Sequence, residues 1–320
     1  LIPPSLVLVV LADQLGKSVG DMYAGAIGPS IIQIALFCIW VFIVSMIWPK
    51  DVPALPPEAR TLHGWKLFAK AMRGIVPSMG LIFLVLGTIF VGLATPTEAG
   101  AMGAVGSLAL AAFNRTLTRP LVYQGMATTM RITAMVVYIL IGARVFSLVF
   151  QGVGGKEWIE HLLTGLPGGQ VGFLIFVNIF VFVIAFFLDF FEIAFIILPM
   201  IAPIAQKILA PVVGPDAALI WFGVMLCVNM QTSFLHPPFG FALFYLRGVA
   251  PREVKSSDIY WGAVPWIGLQ LIMVALVIAF PITVTALLDK PIDVDLSKVK
   301  IEVPQIELPP MIDFGQGQKQ

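Results

Sequence analysis

The stretch Asn229-Met230-Gln231-Thr232-Ser233-Phe234-Leu235-His236-Pro237-Pro238-Phe239-Gly240 places hydrogen-bonding side chains and two prolines inside a hydrophobic run. Its apolar flanks, 220–228 and 241–246, are each too short to cross a hydrocarbon core, which needs roughly 20 helical residues. Because a proline lacks a backbone N–H and restricts the residue before it, a helix cannot continue through Pro237-Pro238. The pattern predicts a re-entrant helical hairpin with an unwound tip. A tight loop between two ordinary crossings is the alternative.

The composition is that of a membrane protein. Hydrophobic residues make up 59% of the 320-residue chain and charged residues 12%, whereas charged residues are about 25% of soluble domains. We therefore expect an integral membrane protein of the helical kind in a lipid bilayer. The formal net charge of +1 leaves no basic stripe for phosphates, which excludes a nucleic-acid partner. Cys38 and Cys227 lie singly in apolar runs, and we interpret both as packing residues.

Five regions of different character follow one another along the chain. We predict the end of a broken helix at 1–13, a linker and transmembrane helix at 14–48, a basic amphipathic interfacial segment at 49–78, the main membrane region at 79–288 with the hairpin at 217–247, and an extended tail at 289–320. Connections are predicted at 13–21, 114–131 and 152–170. Since the chain opens on Leu1-Ile2-Pro3-Pro4-Ser5 without an initiator methionine, we expect a fragment that begins inside a membrane element.

A second break lies at Thr95-Pro96-Thr97-Glu98, between two apolar stretches at 79–94 and 99–113. Thr95 can cap a helix whose first position is Pro96 and whose third is Glu98, which is the pattern of a capping box. The sequence therefore predicts a helix that starts here, at membrane depth. Glycines at 100, 103 and 106 would give that helix a small-residue face for close contact with a neighbour.

Ionisable side chains at membrane depth are candidates for gating or coupling, because each costs roughly 2.5–3.5 kcal/mol on insertion scales. They are Glu98, Asp189, Glu192 and Arg144. Glu98 is also explained by capping alone, and Asp189 with Glu192 by a charge pair at a helix end near water. Arg144 could supply a countercharge to a substrate or extend to the membrane interface.

The polar residues of the stretch 229–240 predict a sodium site. Amide and hydroxyl oxygens, together with carbonyls freed by a helix break, suit an alkali cation. We assign this site to Asn229, Thr232, Ser233, His236 and Ser5.

An anionic substrate is the second prediction for these breaks. The helix N-termini after Pro238 and Thr95 present N–H groups and a positive dipole end, which favour a carboxylate. The predicted substrate contacts are Thr95, Thr97, Gln231, Thr232, Pro237, Pro238 and Gly240. No catalytic residue is predicted.

Four stretches together resemble the large membrane subunit, DctM type, of tripartite ATP-independent periplasmic (TRAP) transporters. They occur in that family's order, between residues 2 and 248: Ile2-Pro3-Pro4-Ser5, Gly92-Leu93-Ala94-Thr95-Pro96-Thr97-Glu98-Ala99, Phe187-Leu188-Asp189-Phe190-Phe191-Glu192-Ile193, and Asn229 to Phe234 continued by Pro237-Pro238-Phe239-Gly240-Phe241-Ala242-Leu243-Phe244-Tyr245-Leu246-Arg247-Gly248. The resemblance implies an all-α polytopic fold with broken helices, a re-entrant hairpin and two inverted repeats. This chain would hold the end of the first repeat and the whole second one.

The resemblance further implies a sodium-coupled, elevator-type importer of C4-dicarboxylates, sialic acid or other organic acids in the bacterial inner membrane. A small membrane subunit (DctQ type) and a periplasmic solute-binding protein would be its partners. Where the family usually has threonine before the proline pair, this chain has His236. Our hypothesis is that Thr232, Ser233 and local carbonyls keep the sodium site while His236 alters coupling or pH response.

A channel and an enzyme of the membrane interior are the competing interpretations. The sequence has neither the Gly-x-Gly-Asp context of an intramembrane aspartyl protease nor the Gly-x-Ser-Gly of a rhomboid-like one. A channel does not need so many asymmetric broken helices.

Overall fold

The computed structural model describes residues 1–50, 52–53, 56–237, 240–251 and 253–288; the predicted tail at 289–320 lies outside them. Helices build this part, and it contains no β-strand. In order, the helices are α1 (Leu6–Leu15), α2 (Val19–Ile47), α3 (Gly64–Phe90), α4 (Pro96–Phe113), α5 (Arg119–Gly152), α6 (Gly155–Thr164), α7 (Gly169–Ile184), α8 (Phe190–Glu192), α9 (Leu198–Val213), α10 (Pro215–Met230), α11 (Phe241–Val249), α12 (Ser256–Ala279) and α13 (Ile282–Thr285).

Some of these helices continue into one another. A π-helical segment, Ile193–Ile197, joins α8 to α9, and a 3-10 segment, Gln231–Leu235, extends α10. With these extensions, six helical spans within the described residues are long and apolar enough to cross a membrane. The prediction of an all-α, multi-pass membrane protein is confirmed at this level.

Helix α10 forms the centre of the core. Every residue from 220 to 230 is buried, because α10 packs against α1, α2, α7, α9, α12 and α13. A helix that is apolar all round needs such neighbours on every side. The Trp221 indole fixes one of these contacts, since its Nε1–H donates to the Val277 carbonyl oxygen of α12 at 2.9 Å.

Helices α3 and α4 form a pair that packs mainly on itself. No residue of α3 is buried, and Ala99 is the one buried residue of α4. A Cβ on Gly103 would come within 3.2 Å of Val85, and one on Gly106 would collide with Leu81, whereas Gly100 has open space around it. Two of the three glycines thus form the predicted close-contact face, and the exposed apolar side chains of this pair suit contact with lipid.

Three predicted connections are mostly helical in the structure. α1 continues to Leu15, and α2 already begins at Val19, where the Ser18 hydroxyl accepts from two backbone N–H groups. The predicted loop at 114–131 is wrong beyond residue 118, because Thr118 caps α5 and starts it at Arg119. From Gly64 onward, the amphipathic segment predicted at 49–78 continues without a break into the apolar stretch after it, as one helix, α3.

The predicted Gly-rich link at 152–170 contains the amphipathic helix α6. An ion pair between Lys207 of α9 and Glu160 of α6, 2.9 Å between Nζ and Oε1, ties this helix to the bundle. The neighbouring Lys207 ammonium lowers the pKa of the Glu160 carboxyl below its usual value.

Gly28 marks the closest approach between α2 and α13. A Cβ added to it would collide with the Thr283 carbonyl oxygen. We expect Gly28→Ala to lower the free energy of unfolding by about 1–3 kcal/mol, the usual cost of overpacking. Thermal unfolding of the purified protein in detergent would measure it.

Gly142→Ala is the matched control, because Gly142 also lies inside a helix but has open space where the Cβ would be. Equal effects of the two substitutions would contradict a close contact at Gly28.

Candidate functional site

A buried amide pair joins α7 to the C-terminal end of α10. Asn229 Nδ2 donates to the Asn178 backbone carbonyl oxygen at 2.8 Å and to Asn178 Oδ1 at 2.9 Å. Asn178 Nδ2 donates in turn to the Leu174 carbonyl oxygen at 2.8 Å. Backbone oxygens can only accept, so they fix the orientation of both amides. The remaining Asn229 Oδ1 is buried and accepts no hydrogen bond from the described residues.

Two hydroxyl groups continue this polar cluster beyond Asn229. Thr232 Oγ1 donates to the Asn229 carbonyl oxygen and Ser233 Oγ to the Met230 carbonyl oxygen, each at 2.7 Å. Since each hydroxyl gives its only hydrogen to the backbone, its lone pairs remain to accept. Thr232 is fully buried and Ser233 half-buried. The cluster is therefore rich in neutral oxygen acceptors, as a cation site requires.

The helix break lies later than predicted, because 229–235 is helical and the chain becomes extended at His236. The premise that the first flank is too short is wrong: α10 with its 3-10 extension forms a span of 21 residues. Gly240 closes the turn by donating its N–H to the His236 carbonyl oxygen at 2.7 Å. A Cβ at Gly240 would lie 2.7 Å from the Phe234 carbonyl oxygen, so this position requires glycine.

The other tip residues border this turn. Gln231 and Pro237 are half-buried beside it. Pro238 lies outside the described residues.

His236 packs among aromatic rings rather than among oxygen ligands. Its ring stacks on Phe186 with centroids 3.9 Å apart and meets Phe182 edge-on at 4.7 Å. The side chain is 1% exposed, and neither ring nitrogen makes a hydrogen bond of ordinary geometry with the described residues. The Ala185 backbone lies near the ring. This packing connects the tip after α10 to the C-terminal end of α7.

Asp189 and Glu192 form a capping box at the start of α8. Asp189 Oδ1 accepts from the Glu192 N–H at 3.0 Å, and Glu192 Oε2 accepts from the Asp189 N–H at 3.2 Å. The sequence Asp-Phe-Phe-Glu matches this motif, which the sequence analysis recognised at Thr95 and missed here. Phe190 then packs against Phe234 at 5.8 Å. The capped turn and the 3-10 segment are therefore neighbours.

Ser5 brings the first proline pair to the same region. Its hydroxyl accepts from the Leu8 N–H at 3.5 Å and so caps α1. The Ser5 side chain also lies beside the thiol of Cys227, a buried residue half a turn before Asn229. Three breaks of the chain, at 3–5, 185–189 and 236–240, thus meet near the C-terminal end of α10.

Thr95, Thr97 and Glu98 lie elsewhere, and Arg144 is on α5, which packs against α8 and the π-helical segment. The predicted capping box is present: Glu98 Oε2 accepts from the Thr95 N–H at 2.7 Å and from its hydroxyl at 2.9 Å. All four residues are exposed, and α4 packs on α3 rather than on α10. The structure therefore does not bring this break together with the other three, and their predicted roles gain no support from its geometry.

Asn178 is the functional candidate that the sequence analysis missed. It is the single polar side chain between Val171 and Leu188. An isolated amide in an apolar span is the kind of residue that needs a partner or a ligand, and this pattern would have found it.

Comparison with known proteins identifies relatives over nearly the whole chain. The family described as "Tripartite ATP-independent periplasmic transporter, DctM component" matches residues 1–283. The C4-dicarboxylate TRAP transporter large permease proteins DctM of Vibrio cholerae and Pseudomonas aeruginosa are each 29% identical, over 88% and 90% of this chain. The sialic acid TRAP transporter large permease protein SiaM of Vibrio cholerae is 26% identical over 88% of it. The aligned region covers 63%, 64% and 62% of these relatives, so the chain spans less than two thirds of their length.

The Asn178–Asn229 pair predicts a large effect of Asn229→Ala. The substitution removes both hydrogen bonds that Asn229 donates and leaves the buried Asn178 Oδ1 without its donor, which costs about 1–3 kcal/mol of unfolding free energy. Thermal unfolding in choline buffer would measure this, because no sodium then contributes to stability.

Asn114→Ala serves as the control, since Asn114 is exposed at the end of α4. We expect it to change the free energy of unfolding by less than about 0.5 kcal/mol. An Asn229→Ala protein as stable as this control would contradict a structural amide pair.

Proposed function

The chain belongs to the DctM component family of tripartite ATP-independent periplasmic transporters, and we propose that it forms part of the membrane subunit of a sodium-coupled importer of small organic anions. In this proposal, the import is secondary active transport across the bacterial inner membrane. A periplasmic solute-binding protein delivers the substrate, and a small membrane subunit completes the complex. The observation that carries the proposal is the cluster of neutral oxygens at the C-terminal end of α10.

The residues of this cluster fit a sodium ion. Asn229 Oδ1 is a buried acceptor without a donor among the described residues, and the hydroxyls of Thr232 and Ser233 have given their hydrogens to the backbone. Helix breaks in transporters typically supply carbonyl oxygens for a coupling ion beside such side chains. Asn229, Thr232 and Ser233 would hold the ion, with Ser5 as a further ligand from α1. A bound sodium ion would supply positive charge next to the substrate.

A few residues after the candidate sodium site, the same tip favours an anion. α11 begins after Gly240, and its first N–H groups lack helical acceptors, so they favour an anion such as a carboxylate. Gln231, Pro237 and Gly240 border this point, and we keep them as predicted substrate contacts. The names of relatives refer to C4-dicarboxylates and sialic acid, which are organic acids. A small organic acid is therefore the substrate class we propose.

An inverted repeat is supported by the order of elements around the two proline pairs. Pro3-Pro4 precedes α1, with 10 residues, and then the long α2. Pro237-Pro238 precedes α11, with 9 residues, and then the long α12. We propose that α1–α2 and α11–α12 are equivalent parts of two inverted repeats in an elevator-type transporter. In this transporter, the bundle around α10 moves relative to α3 and α4. The sparse packing of α3–α4 on that bundle supports this division.

Transport assays separate this proposal from its alternatives. With succinate as a C4-dicarboxylate probe, we propose that uptake into proteoliposomes requires an inward sodium gradient and the binding protein. Uptake without any ion gradient would favour a channel. Chemical conversion of a lipid or peptide without transport would favour an intramembrane enzyme.

Thr232→Val tests the ion site directly, because it removes the hydroxyl and keeps the shape of the side chain. We expect sodium to raise the melting temperature of the wild type relative to potassium at equal ionic strength, since a bound ligand stabilises the folded state. In Thr232→Val, the sodium concentration that gives half of the maximal rise in melting temperature should increase about tenfold. This corresponds to a loss of about 1.4 kcal/mol of binding free energy.

Two controls accompany this variant. Thr232→Ser keeps the hydroxyl and should behave as the wild type. Thr129→Val removes a hydroxyl that donates to a helix carbonyl in the same manner, from Oγ1 to the Gly125 oxygen in α5, but lies far from the cluster in the chain. An equal rise in both valine variants would contradict a sodium site at Thr232.

His236→Thr tests whether the histidine alters coupling. This substitution introduces the threonine hydroxyl that the DctM family usually has before the proline pair. It also removes the ring contacts with Phe182 and Phe186. We expect the sodium dependence of succinate uptake to change, with a half-saturating concentration at least about twofold different from that of the wild type. Unchanged dependence on both sodium and pH would remove this hypothesis.

A further inference from the structure

Two buried glutamines lie between α2 and α12, away from the tip after α10. Gln33 is 5% exposed and Gln270 is 7% exposed. The two helices pack against each other, and the rings of Phe37 and Trp266 meet edge-on at 5.0 Å. Near the start of α2, Gly28 approaches Thr283, which follows α12. The helices are therefore antiparallel.

This register places the two amides at the same level. Gln33 lies one turn before Phe37 and Gln270 one turn after Trp266, and residues four apart share a helix face. Since the helices run in opposite directions, both steps lead to the same point along the contact. The side chains of Gln33 and Gln270 therefore face the same space between α2 and α12.

Three of the four polar atoms of these two amides have no hydrogen-bond partner among the described protein groups. Gln33 Nε2, Gln33 Oε1 and Gln270 Oε1 are buried without a hydrogen-bond partner among the described residues. Buried polar groups are otherwise hydrogen-bonded to protein or to ordered water, and unpaired ones are costly in the membrane interior. Ser30, one turn before Gln33, is also buried, and its hydroxyl donates to the Ala26 carbonyl oxygen at 2.7 Å. Its lone pairs add a further acceptor on this side of α2.

We propose that Gln33 and Gln270 together bind a buried water molecule that bridges α2 and α12. The water accepts a hydrogen bond from Gln33 Nε2, donates one to Gln270 Oε1 and donates the other to Gln33 Oε1 or Ser30 Oγ. A buried water typically makes about three such bonds. The buried Gln33 Nε2 group can only donate hydrogen bonds, so a site that includes it is unfavourable for a cation. Water suits it because it both donates and accepts.

The position of this site gives it a role in holding the two halves of the bundle. α2 follows the short helix after Pro3-Pro4, and α12 follows the short helix after Pro237-Pro238. A water shared by these two long helices fixes their separation and, through α1 and α11, the spacing of the two proline breaks.

The test compares Gln33→Leu, Gln270→Leu and the double variant in the full permease, reconstituted in lipid nanodiscs. Each single change leaves the other amide and the water with fewer bonds, so each should lower the melting temperature by about 2–4 °C. The double variant removes the site and should lower it by less than the sum of the two. Gln124→Leu, at an exposed position of α5, is the control and should change it little.

Three results would overturn the proposal. A rise in melting temperature in either single variant would mean that the amides have no ligand. A sodium-specific stabilisation lost in Gln33→Leu would mean that a cation, not water, occupies the site. In X-ray radiolytic labelling, radiation splits a bound water to a hydroxyl radical that oxidises adjacent rings. This labelling should modify Phe37 or Trp266 in the wild type and not in the double variant. Absence of this labelling in the wild type would indicate a direct bond between the amides.

Discussion

The structure depends on the burial of α10 on all sides. Because every residue from 220 to 230 is removed from solvent and lipid, any polar side chain on this helix must find its partner inside the bundle. Asn229 finds it in Asn178 of α7. That requirement fixes the rotation of α10 relative to α7 and leaves one amide oxygen, Asn229 Oδ1, buried without a donor among the described residues. The free acceptor of the candidate ion site is thus a consequence of the hydrogen bonds that Asn229 makes with Asn178 in the core.

Convergence of the breaks follows from the packing of the elements that carry them. α1 packs on both α10 and α8. Asn178 of α7 bonds to Asn229, and the Phe190 ring of α8 packs on Phe234, so these ends meet beyond α10. Each end is satisfied locally: Ser5 caps α1, Asp189 and Glu192 cap α8, and Gly240 closes the tip. The Thr95 box uses the same motif, but its helix packs on α3, and its residues stay exposed. A capping motif therefore identifies where a helix begins, and the packing of that helix decides whether the end becomes part of a site.

Much of this could be predicted from the sequence, for identifiable reasons. The multi-pass helical class follows from composition, and the Thr95 box follows from a local pattern whose hydrogen bonds span three residues. The helix through Asn229–Leu235 could not be predicted by the same means, because an amide and two hydroxyls in an apolar run look like an interruption. Asn229 instead bonds across to α7, while Thr232 and Ser233 bond back to their own helix. The surroundings of His236 depend on rings about 50 residues earlier in the chain, and no local pattern encodes such a contact.

The oxygen cluster at the end of α10 is composed of amide and hydroxyl groups and carries no formal charge of its own. An ion held by Asn229, Thr232 and Ser233 would therefore keep its whole charge, instead of being neutralised by a carboxylate ligand. Such a charge experiences the membrane potential at about 2.3 kcal/mol per 100 mV when it moves across the full field. The neutrality of three side chains would in this way make the voltage across the bilayer, and not only the ion concentration, a source of energy for moving the tip.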